Sequence, residues 1–134
     1  MFNHIMIGVN DIKQAQQFYD QVLATLGASP GRHHDLGICQ RVYYTHRHNV
    51  LILTTPINQQ KATLSNGFTL AFKAKSIAEV DDFWTTAQKH GGLAIEDPPG
   101  IRQAPKMPYR YYMAYIRDPA GHKICASYFI KPEK

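Results

Sequence analysis

Seven histidines and two cysteines are the groups best able to do chemistry in this chain, and their spacing sorts them. Cys39 and Cys125 form neither a disulfide framework nor a ligand pair at zinc-like spacing. His33-His34-Asp35 and His46-Arg47-His48 resemble ligand clusters, but the first lies in a Gly-containing connection and the second in a hairpin turn. Roughly ten extended residues at about 3.3 Å each separate them, so they read as solvated surface histidines. His4 stands apart, because it opens an apolar run, His4-Ile5-Met6-Ile7-Gly8-Val9. Two readings of it stay open: a hydrogen-bonded histidine with no chemical role, or a polar contact to a ligand in a pocket. Around these groups lie Tyr43, Tyr44, Tyr109, Tyr111, Tyr112 and Tyr115, with Arg41, Arg102 and Arg110. Strand alternation sends one of Tyr43/Tyr44 and one of Tyr111/Tyr112 to a common face. Aromatic walls suit a planar ligand, and an arginine fork suits a carboxylate.

The elements that must position these residues come in two copies. Sliding the chain along itself lays Asp11 on Ser76, Phe18 on Phe83, Tyr19 on Trp84 and Gly27 on Gly92. It also lays His4 on Thr69, and, once the eight extra residues of the second half are allowed for, Ile52 on Cys125. The first copy opens with a strand over about 2–9, apolar on both faces and so expected in the middle of a sheet. Asp11 caps the helix that follows, with Gln14 as its expected reciprocal partner. Ile12, Ala15, Phe18, Val22, Leu23 and Leu26 make its buried stripe, and Gly27 ends it. In the second copy Ser76-Ile77-Ala78-Glu79 is a capping box, the stripe is Ile77, Val80, Phe83, Trp84 and Ala87, and Gly91-Gly92 terminates it. Hairpins are predicted over 38–46/49–55 and 111–117/122–130, the latter turning at Asp118-Pro119-Ala120-Gly121. Short edge strands are expected near 29–34 and 93–97.

Each half thus reads as β-α-β-β-β, and neither buries enough apolar surface to stand alone, so the two should share one domain over 1–134, with modules of about 1–60 and 66–134. The second half is longer after its helix. The surplus falls in Pro98-Pro99-Gly100-Ile101-Arg102-Gln103-Ala104-Pro105-Lys106-Met107-Pro108-Tyr109-Arg110, a stiffened basic loop that reads as a pocket lid. The formal charge of +5 is scattered rather than gathered into a patch, which argues against nucleic acid. No apolar run approaches the roughly 20 residues needed to cross a bilayer. A basic segment leading into an apolar core is missing at the N-terminus. Together with the few cysteines, this makes a cytoplasmic protein the expectation, without a membrane partner.

The order of these fragments resembles the vicinal oxygen chelate superfamily, which includes glyoxalase I, bleomycin-resistance proteins and extradiol dioxygenases. The carriers are the opening from His4 to Asp11, Phe18-Tyr19 with Leu26-Gly27, Leu70-Ala71-Phe72 leading to Ser76, and Asp118-Pro119-Ala120-Gly121-His122-Lys123-Ile124. The resemblance implies an α+β fold in which two paired βαβββ modules form an open, cup-shaped mixed sheet, often within a homodimer. It also implies four positions for one divalent metal, which fall on His4, Ile52, Thr69 and Cys125. One of the four holds the usual ligand type. Isoleucine has no donor atom, threonine offers a weak neutral one, and no Asp, Glu or His lies within two residues of Ile52 or Cys125. The expectation is therefore a protein without a cofactor that binds a small anionic or aromatic molecule in the cup. The residues expected at the ligand are His4, Arg41, Thr69, Arg102, Arg110, Tyr111 and Cys125, and no catalytic residue is assigned. Facing His4, Cys125 could instead be an activated thiol. The alternative function is enzymatic: a lactoylglutathione-lyase-like activity or a dioxygenase, using a divalent metal on non-standard ligands. A cup filled by its own Tyr and Leu side chains would make the chain a structural domain.

Overall fold

The computed structural model describes residues 1–133; the expected end of the second module at residue 134 lies outside the described residues. The first module comprises β1 (Ile5–Gly8), α1 (Ile12–Ala24), β2 (Arg32–Asp35), β3 (Gln40–His46) and β4 (Asn49–Thr54). The second comprises β5 (Leu70–Lys73), α2 (Ile77–Lys89), β6 (Leu93–Arg102), β7 (Arg110–Arg117) and β8 (Lys123–Ile130). The fold is α+β, with two βαβββ modules that each build a mixed four-stranded sheet, ordered β1-β4-β3-β2 and β5-β8-β7-β6. In each, the first strand runs parallel to the last and the other pairings are antiparallel.

Local chemistry accounts for the helices. The Asp11 carboxylate accepts from the Gln14 backbone N–H at 3.0 Å, satisfying one orphan donor of α1. At α2 the Ser76 hydroxyl accepts from Glu79 N–H at 3.1 Å, while the Glu79 carboxylate reaches back to Lys75 N–H at 2.6 Å. Ala15, Phe18, Val22, Leu23 and Leu26 are buried as the periodicity requires, joined by Tyr19, and each large side chain contributes about 1.5–3 kcal/mol. On α2 the stripe narrows to Val80, Phe83 and Ala87, and Ile77 is 45% exposed at the first turn. Gly92 must be glycine, because a Cβ there would stand 2.7 Å from the Ala87 carbonyl oxygen and 2.9 Å from Ile116.

Each helix covers one face of its own sheet. Leu51 and Leu53 of β4, Val42 and Tyr44 of β3, and Ile124 and Ala126 of β8 point into the helix-covered core. Their neighbours in sequence therefore point the other way. The two helices pack on each other at the junction of the modules. There the Tyr19 hydroxyl donates to the Asp118 carboxylate at 2.6 Å, whose other oxygen accepts from His122 N–H at 2.8 Å. The His122 ring Nε2 meets the Gly8 carbonyl oxygen at 2.6 Å. The DPAG turn thus ties the second module to both β1 and α1 of the first.

Two expectations need correction. β1 is an edge strand, not a central one: among the described residues its one hydrogen-bonded neighbour is β4, and Met6 is 38% exposed. An apolar pattern on both faces reports that both faces want cover and says nothing of how many strands lie alongside. The supposed lid is also shorter. Residues 98–102 belong to β6, which bulges between Ile95 and Gly100, so the connecting loop is only 103–109. The bulge takes Pro98 and Pro99, which have no N–H to give a ladder. Arg102 braces it, donating from Nη2 to the carbonyls of Asp97 at 2.9 Å and Pro98 at 3.1 Å.

Candidate functional site: the open sheet faces

The faces turned away from the helices carry the candidate site. On the first sheet, the register aligns side chains in two adjacent rows. One runs Arg32, Tyr43, Ile52, Met6 from β2 to β1, and the next runs His34, Arg41, Thr54, Gly8. His4 precedes β1 on the same side as Met6; it is exposed, with Nδ1 at 2.7 Å from the side-chain oxygen of Asn3. His34 stands edge-on to Tyr43 with centroids 5.0 Å apart, and Arg41 Nε donates a long bond of 3.4 Å to the Thr54 hydroxyl. Ile52 is 5% exposed and forms the apolar floor.

On the second sheet the rows run Arg102, Tyr111, Phe129; then Met113, Ser127, Lys73; then Ile95, Tyr115, Cys125, Ala71. Tyr109 and Tyr111 both pack against Phe129, at 5.9 and 5.4 Å between centroids, and all three remain partly exposed. Lys123 is already engaged, with Nζ 3.3 Å from Glu96 and 4.7 Å above the Tyr115 ring. Thr69 is exposed just before β5. Arg110 lies on the opposite face, since it alternates with Tyr111 and neighbours Tyr112, whose hydroxyl donates to Asp81 of α2 at 2.7 Å.

Of the residues singled out from the sequence, His4 and Arg41 thus share the first open face. Tyr111, Cys125 and Arg102 share the second, and Arg110 joins neither. No hydrogen bond links His4 to Cys125. Cys125 is fully buried, and burial pushes its thiol up to about 11, the reverse of what an activated nucleophile needs. Sequence reasoning did not name Arg32 and set His34 aside as a solvated surface histidine; pairing β2 with β3 puts both on the open face. It also passed over Phe129, whose outward side follows from counting in twos from Cys125.

The four positions where the superfamily holds a metal do not fit one. Ile52 has no donor, Thr69 has a neutral hydroxyl, Cys125 is a buried protonated thiol, and His4 is left alone. Among the described residues no three His, Cys, Asp or Glu side chains converge on a point. Two surface hollows, of about 440 and 300 Å³, lie beside the 55–61 connection and the module junction, sharing Val9, Asn10 and Lys61. No helix is long and apolar enough to cross a membrane among the described residues.

Paired βαβββ modules with these open faces define a class, and comparison with known proteins places the chain in it. Residues 1–126 match the Glyoxalase/Bleomycin resistance protein/Dioxygenase superfamily, and the chain belongs to that superfamily. It is similar to a glyoxalase/bleomycin resistance protein from Albidiferax ferrireducens, with 42% identity and a TM-score of 0.85, over 98% of this chain and 99% of that one. More distant likenesses show the shared fold. A glyoxalase/bleomycin resistance protein/dioxygenase family enzyme from Burkholderia phytofirmans is 17% identical, with a TM-score of 0.69 over 96% of this chain and 98% of its own. A fosfomycin resistance protein from Listeria monocytogenes is 15% identical, with a TM-score of 0.66 over 100% and 94%. No protein of curated function gave a significant match.

Proposed function

We propose that this chain is a metal-independent member of its superfamily that binds a small molecule between the open sheet faces. The observation that carries this reading is the replacement of metal donors by Ile52, Thr69 and Cys125 within faces that keep aromatic, thioether and guanidinium groups. Such a surface offers apolar contact and a few directed polar groups, which is what ligand pockets are made of. His4 and Thr69, at the exposed starts of β1 and β5, are its polar contacts nearest the unpaired edges.

The pocket is proposed to close in a homodimer. Among the described residues both β1 and β5 present an unpaired edge, and no strand of one sheet pairs with a strand of the other. Pairing those edges between two copies would satisfy the unpaired backbone of both strands and bring one copy's first open face beside its partner's second. Two unpaired, buried thiols suit a reducing, cytoplasmic setting.

The test is elemental mass spectrometry of untagged protein after exposure to Ni, Zn, Fe(II) and Mn and desalting. The expected result is no stoichiometric metal. Retention of about one ion per chain, as a formed site would give, sinks the reading and directs attention to lyase and dioxygenase assays.

A further inference from the structure

We infer that Arg32, His34 and Arg41 form an anion subsite on the first open face, and that the molecule bound there is a carboxylate with a flat apolar body. This inference rests on the small-molecule reading above and names the chemistry it selects.

The geometry comes from two neighbouring rows. Arg32 heads the row Arg32, Tyr43, Ile52, Met6, and His34 and Arg41 open the row beside it. Arg32 and Arg41 are thus diagonal neighbours on adjacent strands, about 7–8 Å apart at the backbone, a separation that two long guanidinium side chains and the His34 imidazole can bridge by converging on one carboxylate. No Asp or Glu occupies either row, because Asp35 and Asp20 lie elsewhere: Asp35 accepts from Gly37 N–H at 2.8 Å, and Asp20 from the Tyr44 hydroxyl at 2.7 Å. The one ion pair among the described residues, Lys123 with Glu96, belongs to the second sheet, so both guanidiniums lack a carboxylate partner. Arg102 shows the contrast, since its guanidinium is spent on the β6 bulge.

Next to the cations the same row turns apolar, through the Tyr43 ring to Ile52 and Met6. A ligand with its anionic end on Arg32 and Arg41 has about two strand spacings, roughly 10 Å, of apolar floor before the β1 edge. That length suits one or two fused rings. The neighbouring row, which Arg41 shares, is closed at Gly8, where Ala62 of the connecting segment stands 3.3 Å from the place a Cβ would occupy.

The experiment measures binding of 2-naphthoate and 2-naphthamide, which match in shape and differ in charge, by isothermal titration calorimetry. The expected result is that naphthoate binds at least about tenfold tighter, the size of one charge-assisted interaction. The preference should shrink severalfold in Arg41→Gln and vanish in the Arg32→Gln/Arg41→Gln double variant, with thermal unfolding unchanged because neither side chain enters the core. Arg41→Lys should keep part of it. Equal affinity for the two probes overturns the anion subsite while leaving a small-molecule cavity standing. A carboxylate preference that survives in the double variant overturns the assignment to these arginines. If neither probe binds, the subsite and the cavity reading both fall.

Discussion

At the scale of single residues, Cys125 shows how burial decides chemistry. Its thiol sits between Ala71 and Tyr115 with no exposed surface, and burial lifts it from 9.0 to about 11. Below about pH 9 the thiol is protonated in folded and unfolded chains alike. Between the two values the unfolded chain gives up the proton and the folded chain keeps it, so stability falls as pH rises, by at most about 1.4 kcal/mol per pH unit. Thermal unfolding followed from about pH 8 to 11 should therefore drop more steeply in the native sequence than in Cys125→Ala. Tyr19 and Tyr44, raised chiefly by burial, add the same loss to both proteins. Iodoacetamide at about pH 8 should leave both cysteines unmodified until the chain is unfolded; rapid labelling of the folded protein would restore Cys125 as a nucleophile. The residue types at Ile52, Thr69 and Cys125 were legible in the sequence, and the resemblance to the superfamily is what marked those positions as the ones a metal would use. The state of the thiol was not legible, since it depends on what packs over β8.

Among the elements, the caps and the module junction carry testable weight. Ser76→Ala removes the hydroxyl that satisfies Glu79 N–H and should cost about 1 kcal/mol in urea denaturation. Tyr19→Phe should cost more, about 1–3 kcal/mol, because it deprives a buried carboxylate of one of its two donors. A loss of only a few tenths would mean that Asp118 finds water instead. Both helices, the two hairpins and the DPAG turn were legible because capping residues, apolar spacing and turn residues act over a few positions. The bulge in β6 was not. Prolines next to a glycine read as a loop, and only the pairing of Arg102 with Tyr111 shows that the strand resumes beyond them.

For the whole molecule, the unpaired edges of β1 and β5 make the quaternary state the property to test. Light scattering at micromolar concentration should give twice the mass of one chain. Met6→Lys places a charge on the exposed face of the β1 edge, away from the helix-covered core, and should shift the protein towards single copies without lowering its unfolding temperature by more than a degree or two. A native chain that stays single under those conditions would remove the shared pocket and leave the sheet faces as separate open surfaces.

The sequence by itself determined the duplicated βαβββ plan and the approximate helix limits. These follow from periodicity, caps and residue type, which need no knowledge of distant neighbours. That Ile52, Thr69 and Cys125 fall where a metal would be held came from the family resemblance, not from the pattern. Tertiary structure decided which side chains meet. It brought Arg32 and His34 of β2 beside Arg41 and Tyr43 of β3, turned Arg110 to the far face, engaged Arg102 in the bulge and Lys123 with Glu96. It also left β1 at an edge. The physical reason is that strand pairing is non-local: a shift of one residue in register exchanges the faces of every side chain, and β2, exposed at all four residues, has no buried face to specify its register in advance.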